Sequence, residues 1–183
     1  MKRFTALLAV VSSLILGVSA AQATITVTQA PAGPGYQNLS PWTGTGICGG
    51  QGGTYSASGA PIRLGFGWFA NNQGGLKQFF SNSHGSISIT GTDAFSDSWS
   101  SSKSGTPFVT QQGIVWTSGE AGTGTPPGGG SVTGVSAWYR GVLSLAPGTY
   151  TLTVAFVFDK AVNDGWDSYT GTVSNNSCTF TVV

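Results

Sequence analysis

The stretch "LSLAPGTYTLTVAFVFDKAVNDGWDSYTG", residues 143–171, decides the class of fold. Pro147 and Gly148 supply a turn, and the residues after them alternate in the manner of a half-buried β-strand. The stretch ends in the densest group of acidic residues in a chain with few charges. We interpret it as a β-hairpin whose far end is polar.

A second segment, "PIRLGFGWFA" at residues 61–70, has the same period of two. Gly65 and Gly67 fall on one face of the predicted strand, which indicates close approach by neighbouring backbone or rings. The opposite, inward face carries four apolar side chains: Ile62, Leu64, Phe66 and Trp68.

One short helix interrupts the strands. Leu76, Phe79 and Phe80 have the i, i+3, i+4 spacing of a helical face, which predicts a helix near residues 74–82. Seven to nine predicted strands separated by turn signals indicate an all-β, antiparallel sandwich. We predict a single domain over residues 24–183, in which a long segment rich in Gly, Pro, Ser and Thr, residues 30–60, is irregular.

Two segments carry a resemblance to a known class of module. "LAPGTYTLTVAF", residues 145–156, resembles the penultimate strands of secreted bacterial immunoglobulin-like and fibronectin-type modules, and "CTFTVV" resembles their last strand. The resemblance extends over roughly residues 60 to 183. It implies an immunoglobulin-like β-sandwich in which the hydroxyl of Tyr150 bonds to nearby backbone, and it transfers no catalytic residue.

Residues 1–23 have the layout of a secretory signal peptide, with two basic residues, an apolar run over residues 4–18 and then small residues. Cleavage is expected after Ala20 or Ala23. The apolar run is about 15 residues long, whereas a bilayer-spanning helix needs roughly 20. We therefore predict a secreted protein, extracellular or at the cell surface, with no membrane insertion after cleavage.

The charge of the chain excludes some partners. Without the predicted leader, five basic and six acidic residues remain. Nucleic acids and anionic membranes attract proteins through a basic field, so neither is an expected partner. Charged residues make up 7% of the chain, against about 25% in typical proteins. A surface of hydroxyls and amides follows, and such a surface tends to associate.

The only two cysteines are Cys48 and Cys178. Export places them where disulfides persist, so we predict that they pair. The alternative is two separate buried thiols. A role for either thiol in metal binding or nucleophilic attack is not favoured.

The acidic end of the hairpin is a candidate calcium site. Asp159, Asn163, Asp164 and Asp167 lie within nine residues, and calcium takes several hard oxygen ligands. Their spacing does not match the EF-hand loop. The favoured alternative is that Asn163, Asp164 and Gly165 form a turn whose charge a neighbouring lysine offsets.

The chain has few residues equipped for catalysis. His84 is the only histidine, and its setting "SNSHGS" is typical of a turn. No Gly-x-Ser-x-Gly elbow is present. Glu120 stands in a Gly-rich loop, and the five aspartates fall in two predicted loops, one holding Asp93 and Asp97 and the other at the hairpin end. Nothing favours the facing pair of carboxyls that glycoside cleavage needs, and zinc lacks ligands. We predict a protein that is not an enzyme.

Aromatic side chains are the better candidates for binding. Trp42, Trp99 and Trp166 lie in predicted loops, and an exposed indole can stack on the apolar face of a sugar. They are the predicted ligand-binding residues of a carbohydrate platform. Trp138 and Tyr139 are adjacent on one strand and point to opposite faces, so only one of them is buried if one face is wet.

The first strand, "TITVTQ" at residues 24–29, is separated from the rest by a Pro/Gly joint. It could add to the sheet of a second subunit and generate filaments, or fold back on its own domain. The predicted function is therefore a non-enzymatic structural or adhesive protein, with self-assembly through strand addition as one route. The alternative is a carbohydrate-binding module. The expected partner is a second copy of the chain or a polysaccharide.

Overall fold

The computed structural model describes residues 23–42, 45–125 and 129–183, and these form two β-sheets around one core. The predicted all-β sandwich with one short helix is confirmed. Residues 1–22 of the predicted leader lie outside the described residues.

The described part of the chain contains eleven strands, more than the seven to nine predicted. Three of them, β1, β3 and β4, have only two or three residues, too few to show a period in the sequence. Numbered along the chain, the strands are β1 (Ala23–Thr24), β2 (Thr26–Gln29), β3 (Gln37–Leu39), β4 (Thr54–Tyr55), β5 (Ile62–Ala70), β6 (Ser83–Gly91), β7 (Asp93–Trp99), β8 (Thr117–Gly124), β9 (Val132–Ser144), β10 (Gly148–Asn163) and β11 (Ser168–Val182).

The long strands of the chain are divided between the two sheets. The first sheet has the order β1-β7-β6-β10-β11-β4, and the predicted hairpin is its antiparallel β10–β11 pair. The second sheet has the order β2-β9-β5-β3, and β8 pairs with the first half of β9. Most pairs are antiparallel, and the three very short strands pair in parallel with their neighbours.

Aromatic rings from both sheets meet in the core. Phe66 of β5 is fully buried and stacks on Tyr139 of β9, with 4.9 Å between ring centroids. Its edge meets Phe156 of the opposite sheet at 5.8 Å. Each such ring buries roughly 150 to 250 Å² and adds a directional ring contact, so the sandwich depends on aromatic packing.

The helix α1 (Gln73–Asn82) lies where the apolar spacing predicts it. The Asn72 side chain caps its start, since Oδ1 accepts hydrogen bonds from the amides of Gly74 and Gly75 at 2.8 and 3.2 Å. Its apolar face, including Phe79, packs into the core. No helix among the described residues combines the length and apolar character needed to cross a bilayer.

The N-terminal segment pairs within its own chain. Ala23 and Thr24 pair in parallel with β7 of the first sheet, and Thr26–Gln29 pair antiparallel with β9 of the second. Ile25, between them, is 3% exposed. The segment thus crosses from one sheet to the other. In this structure it folds back on its own domain, as the second of the two alternatives has it.

Cys48 and Cys178 form the predicted disulfide, with 5.0 Å between their Cα atoms. It joins β11 to the segment predicted to be irregular. That segment contains only β3, β4 and a 3-10 turn at Gln51–Gly53 as regular elements among its described residues. A covalent tie therefore holds a segment that has little secondary structure of its own.

The hydrogen bond expected of Tyr150 is present. Its hydroxyl donates to the carbonyl of Ala146 at 2.8 Å. Oδ2 of Asp93 lies 3.1 Å from the same hydroxyl. Burial raises the pKa of Tyr150, and the hydrogen bond to Asp93 adds to the effect. The bond fixes the turn that opens β10.

Two buried tyrosines and one that is partly buried predict an alkaline transition. Burial raises the pKa of Tyr55 from 10.0 to about 12 and that of Tyr169 to about 12, and the pKa of Tyr139 is raised as well. The folded state holds these protons more tightly, so the stabilisation is complete below pH 10 and is lost as the pH rises towards 12. We expect tyrosinate absorbance and loss of sheet circular dichroism to appear together in that window. Full ionisation at pH 10 with the sheet signal intact would contradict this.

Candidate functional site

The outer face of the second sheet carries an unusual set of side chains. Strand alternation places Gly65, Gly67 and Phe69 of β5 on this face, because the intervening residues point into the core. On β9 the outward positions include Trp138 and Arg140, which lie directly opposite Gly67 and Gly65. Rings and charges therefore alternate with glycines that leave room above the sheet.

Trp138 lies across Gly67 as a fixed platform. A Cβ at Gly67 would come within 2.1 Å of the carbonyl oxygen of Ala137 and within 3.1 Å of the indole carbons Cδ2 and Cε3 of Trp138, so the neighbouring backbone requires glycine here and the ring lies close above it. The indole Nε1 donates to Oγ of Ser136 at 2.8 Å, and Ser136 Oγ donates to the carbonyl of Glu120 at 3.1 Å. Trp138 is partly exposed while Tyr139 is fully buried, as expected of adjacent strand residues.

An ion pair stands beside this indole. The guanidinium of Arg140 holds the carboxylate of Glu120 with both terminal nitrogens, and Nη2 donates to Oε2 at 2.7 Å. Nη1 also donates to Oγ1 of Thr117 at 3.0 Å. The hydrogen bond from Arg140 lowers the pKa of Glu120. The guanidinium carbon of Arg140 lies 5.3 Å from the ring centroid of Trp138, so charge and ring form one surface.

We call the larger concavity on this face the aromatic groove. Its volume of 440 Å³ falls in the range of about 300 to 1,000 Å³ typical of ligand pockets. Rings form its walls, and the rings of Trp138 and Phe69 lie close over Gly67 and Gly124. Its lining comprises Trp42, Gly67, Trp68, Phe69, Glu120, Ala121, Gly122, Thr123, Gly124, Ser136, Trp138 and Arg140.

A second concavity of 310 Å³, the arginine groove, adjoins the first because Trp138 and Arg140 line both. Gly65 forms its floor, and a Cβ built there would meet no atom within 4 Å. The predicted close approach is therefore found at Gly67 but not at Gly65. The arginine groove is lined by Asn38, Leu39, Ser40, Arg63, Gly65, Trp138 and Arg140.

The structure separates the three tryptophans that the sequence nominated. Trp42 lines the aromatic groove and is 39% exposed. Trp166 stacks on Phe69, a wall of that groove, with 5.5 Å between centroids and 5° between planes. Trp99 is only 3% exposed, because it closes β7 on the inward face. The expectation that Trp99 lies in a loop and faces a ligand is wrong.

Three of the four proposed calcium ligands make other side-chain contacts. Asp159 lies 3.0 Å from Nδ1 of His84. Oδ1 of Asn163 accepts from the amide of Gly165, and buried Asp164 accepts from the amides of residues 166 and 167. No group of three or more His, Cys, Asp or Glu side chains that could hold a metal is found in residues 23–42, 45–125 and 129–183. The geometry fits the turn at the end of the hairpin, and calcium binding by these residues with Asp167 stays a prediction.

Two carboxylates expected in a loop lie on a strand instead. Asp93 and Asp97 occupy inward positions of β7 and are 7% and 2% exposed. Asp97 accepts hydrogen bonds from Oγ1 of Thr110 at 2.6 Å and from two backbone amides. His84, predicted in a turn, lies on β6. Asp93, Asp97 and His84 line neither groove.

The sequence did not single out Trp138 or Phe69 as binding residues. The sequence did hold a signal for Trp138. The two glycines of β5 predict a neighbouring ring, and strand alternation predicts that Trp138 and Tyr139 point to opposite faces. Nothing in the sequence shows that Glu120 and Arg140 meet, since 20 residues separate them. Comparisons with protein-family models, with curated proteins and with solved structures found no match.

Proposed function

We propose that this protein is a non-catalytic carbohydrate-binding module that recognises a polysaccharide on the outer face of its second sheet. The observation that carries the proposal is the partly exposed indole of Trp138, fixed over Gly67 at the junction of two adjoining grooves. An elongated ligand fits two grooves in series better than a single compact ligand does.

The chemistry of the grooves suits sugars. Pyranose rings present an apolar face of C–H groups and an edge of hydroxyls, so they bind where aromatic faces stand beside a few oriented polar groups. Trp42, Phe69 and Trp138 supply the faces. Arg140 and Glu120 supply donors and acceptors held in place by their mutual contact. Ser136 takes up the indole N–H and so fixes the ring in advance of binding.

The same residues argue against hydrolysis of the bound sugar. Glycosidases use two carboxyls that face each other across the scissile bond. Glu120 is the single carboxylate among the residues that line the two grooves within the described chain, and Arg140 engages both of its oxygens. The proposed role is therefore adhesion to the polysaccharide. The disulfide and the predicted leader support a place outside the cell.

Self-assembly through strand addition stays a second proposal with weaker support. Residues 24–29 would have to leave β7 and β9 of their own domain before pairing with another subunit. Exchange of the first strand between subunits replaces the contacts within one domain by the same contacts between two. The assembled form would therefore be favoured only by mass action at high protein concentration.

Substitutions in the grooves test the binding proposal. We expect wild-type protein to be retarded in gels containing at least one of four soluble polysaccharides: galactomannan, hydroxyethylcellulose, polygalacturonate and alginate. Trp138→Ala removes the platform and Gly65→Val fills the floor of the arginine groove, so each should weaken that binding at least about tenfold. Valine at this open strand position should not lower stability, because nothing stands within 4 Å of the new Cβ.

Ser86→Val is the matched control, since it adds the same side chain at an exposed position of β6 on the other sheet. It should bind as the wild type does. Thermal unfolding of each variant separates loss of the site from loss of the fold. The proposal is wrong if no polymer retards the wild type, or if Trp138→Ala and Gly65→Val are both folded and retarded like Ser86→Val.

A further inference from the structure

The arginine groove carries a positive charge that no carboxylate balances. Two of its lining residues, Arg63 and Arg140, are cationic, and none of them is acidic. Glu120, at the side of the aromatic groove, neutralises Arg140. No carboxylate lies within ion-pair distance of Arg63 in the part of the chain that the structure describes. The groove therefore holds one unit of uncompensated positive charge.

Neutral acceptors fix the position of Arg63. Its Nε and Nη2 donate to Oδ1 of Asn38 at 3.1 and 2.8 Å, and its Nη1 donates to the carbonyls of Pro31 and Gly33 at 3.1 and 2.9 Å. The ring of Tyr36 lies 4.6 Å from the guanidinium carbon. These contacts fix the guanidinium in place without cancelling its charge, so Arg63 can still attract an anion.

The two arginines flank the open floor of the groove. Arg63 is two residues before Gly65 on β5 and points to the same face. Arg140 lies directly across the sheet from Gly65. Of the five N–H groups on each guanidinium, Arg63 uses four and Arg140 uses three in the contacts described above. Unused donors thus lie on both sides of the open space above Gly65, and the uncompensated charge lies on the Arg63 side.

We infer that the arginine groove binds the carboxylate of a uronic acid residue, so that the ligand of this module is an acidic polysaccharide. The inference rests on the proposed carbohydrate binding and specifies its substrate class. The uncompensated charge of Arg63 and the N–H groups still unused on Arg63 and Arg140 can take up a carboxylate, and the adjacent face of Trp138 can receive the ring of the same sugar or the next. A single positive charge balances one carboxylate per bound sugar.

A pair of ligands that differ only in the carboxyl group gives the sharpest test. Polygalacturonate and the same polymer with its carboxyls reduced to alcohols are compared by affinity electrophoresis and calorimetry. We expect the wild type to bind polygalacturonate at least tenfold more tightly than the reduced polymer. We also expect the preference to shrink between about 0.05 M and 0.5 M salt, because this groove is open to screening. Dextran sulfate, assayed in parallel, separates a carboxylate site from a general polyanion site.

Variants of Arg63 assign the preference to this groove. Arg63→Gln should lower affinity for polygalacturonate about tenfold and leave affinity for the reduced polymer unchanged. Arg63→Lys retains the charge and should restore much of the difference, which a merely structural role for the fork would not do. Lys103→Gln, which removes the same charge from an exposed loop outside both grooves, is the control and should have no effect.

The outcomes distinguish this inference from the proposal beneath it. If both polymers bind the wild type equally, or if Arg63→Gln weakens both equally, the uronate assignment fails while carbohydrate binding stands. Tighter binding of dextran sulfate than of polygalacturonate also overturns the assignment, since it indicates a site for any polyanion. If neither polymer binds and no neutral polymer does, the proposed function itself fails.

Discussion

A Cys48→Ala, Cys178→Ala double variant is expected to lose about 5 kcal/mol of folding free energy in the chain-entropy model. The reason is the length of the loop that the disulfide closes, since the two cysteines are 130 residues apart. Without the bridge, the unfolded chain gains the freedom that the loop had removed. The double replacement avoids leaving one unpaired thiol.

The loss should be read from urea unfolding followed by tryptophan fluorescence. Hydrogen exchange should show the earliest opening around Ile47 and Cys48, because this segment is joined to β11 at the bridge and by the amide of Cys48, which donates to Thr179 at 2.9 Å. As a control, reduction of the wild type should lower the midpoint to the same value. A difference below about 1 kcal/mol between variant and wild type would show that the bridge contributes little to stability.

Asp97→Ala is expected to cost about 3 to 5 kcal/mol, because it leaves several buried donors without an acceptor. Oδ1 of Asp97 accepts from the amides of Ser98 and Gln112 at 2.8 and 3.0 Å. Oδ2 accepts from Oγ1 of Thr110 at 2.6 Å and lies 3.4 Å from the hydroxyl of Tyr139. The carboxylate therefore joins β7, the following loop and β9.

A graded series tests the cause of that loss. Asp97→Asn keeps Oδ1 for the two amides and presents an NH₂ group to oxygens that can accept, so it should cost about 1 to 2 kcal/mol. Asp159→Ala, the same truncation at a side chain that is 47% exposed, should cost less than about 1 kcal/mol. Chemical denaturation of the three variants provides the values. Equal losses at positions 97 and 159 would contradict the account of the buried carboxylate.

The sheets and the helix could be predicted because their patterns are local. The period of two in β5 and β10 and the spacing of Leu76, Phe79 and Phe80 record which side chains face the core. The segment that forms strand β7 was interpreted as a loop, because two of its inward positions carry Asp93 and Asp97. Carboxylates at inward positions interrupt the apolar alternation that identifies a strand. For the same reason the sequence did not show that Trp99 points inward.

The candidate site could be predicted only in part because it depends on non-local pairing. The segment from Glu120 onward is rich in glycine and indicates a loop. It forms β8 because β9 supplies hydrogen-bonding partners and Arg140 holds the Glu120 side chain. The order of the strands decides that β5 and β9 lie side by side, and thus that Trp138 covers Gly67. Alternation along one strand carries no such information.

The tryptophan side chains themselves provide the most direct test of carbohydrate binding. Indole N–H resonances of isotope-labelled protein are followed by nuclear magnetic resonance during titration with oligosaccharides from the four polymers. The account predicts shifts at Trp138 and Trp42, which line the aromatic groove, and none at the buried Trp99 and Trp116. Saturable binding that leaves the Trp138 and Trp42 resonances unmoved would contradict it.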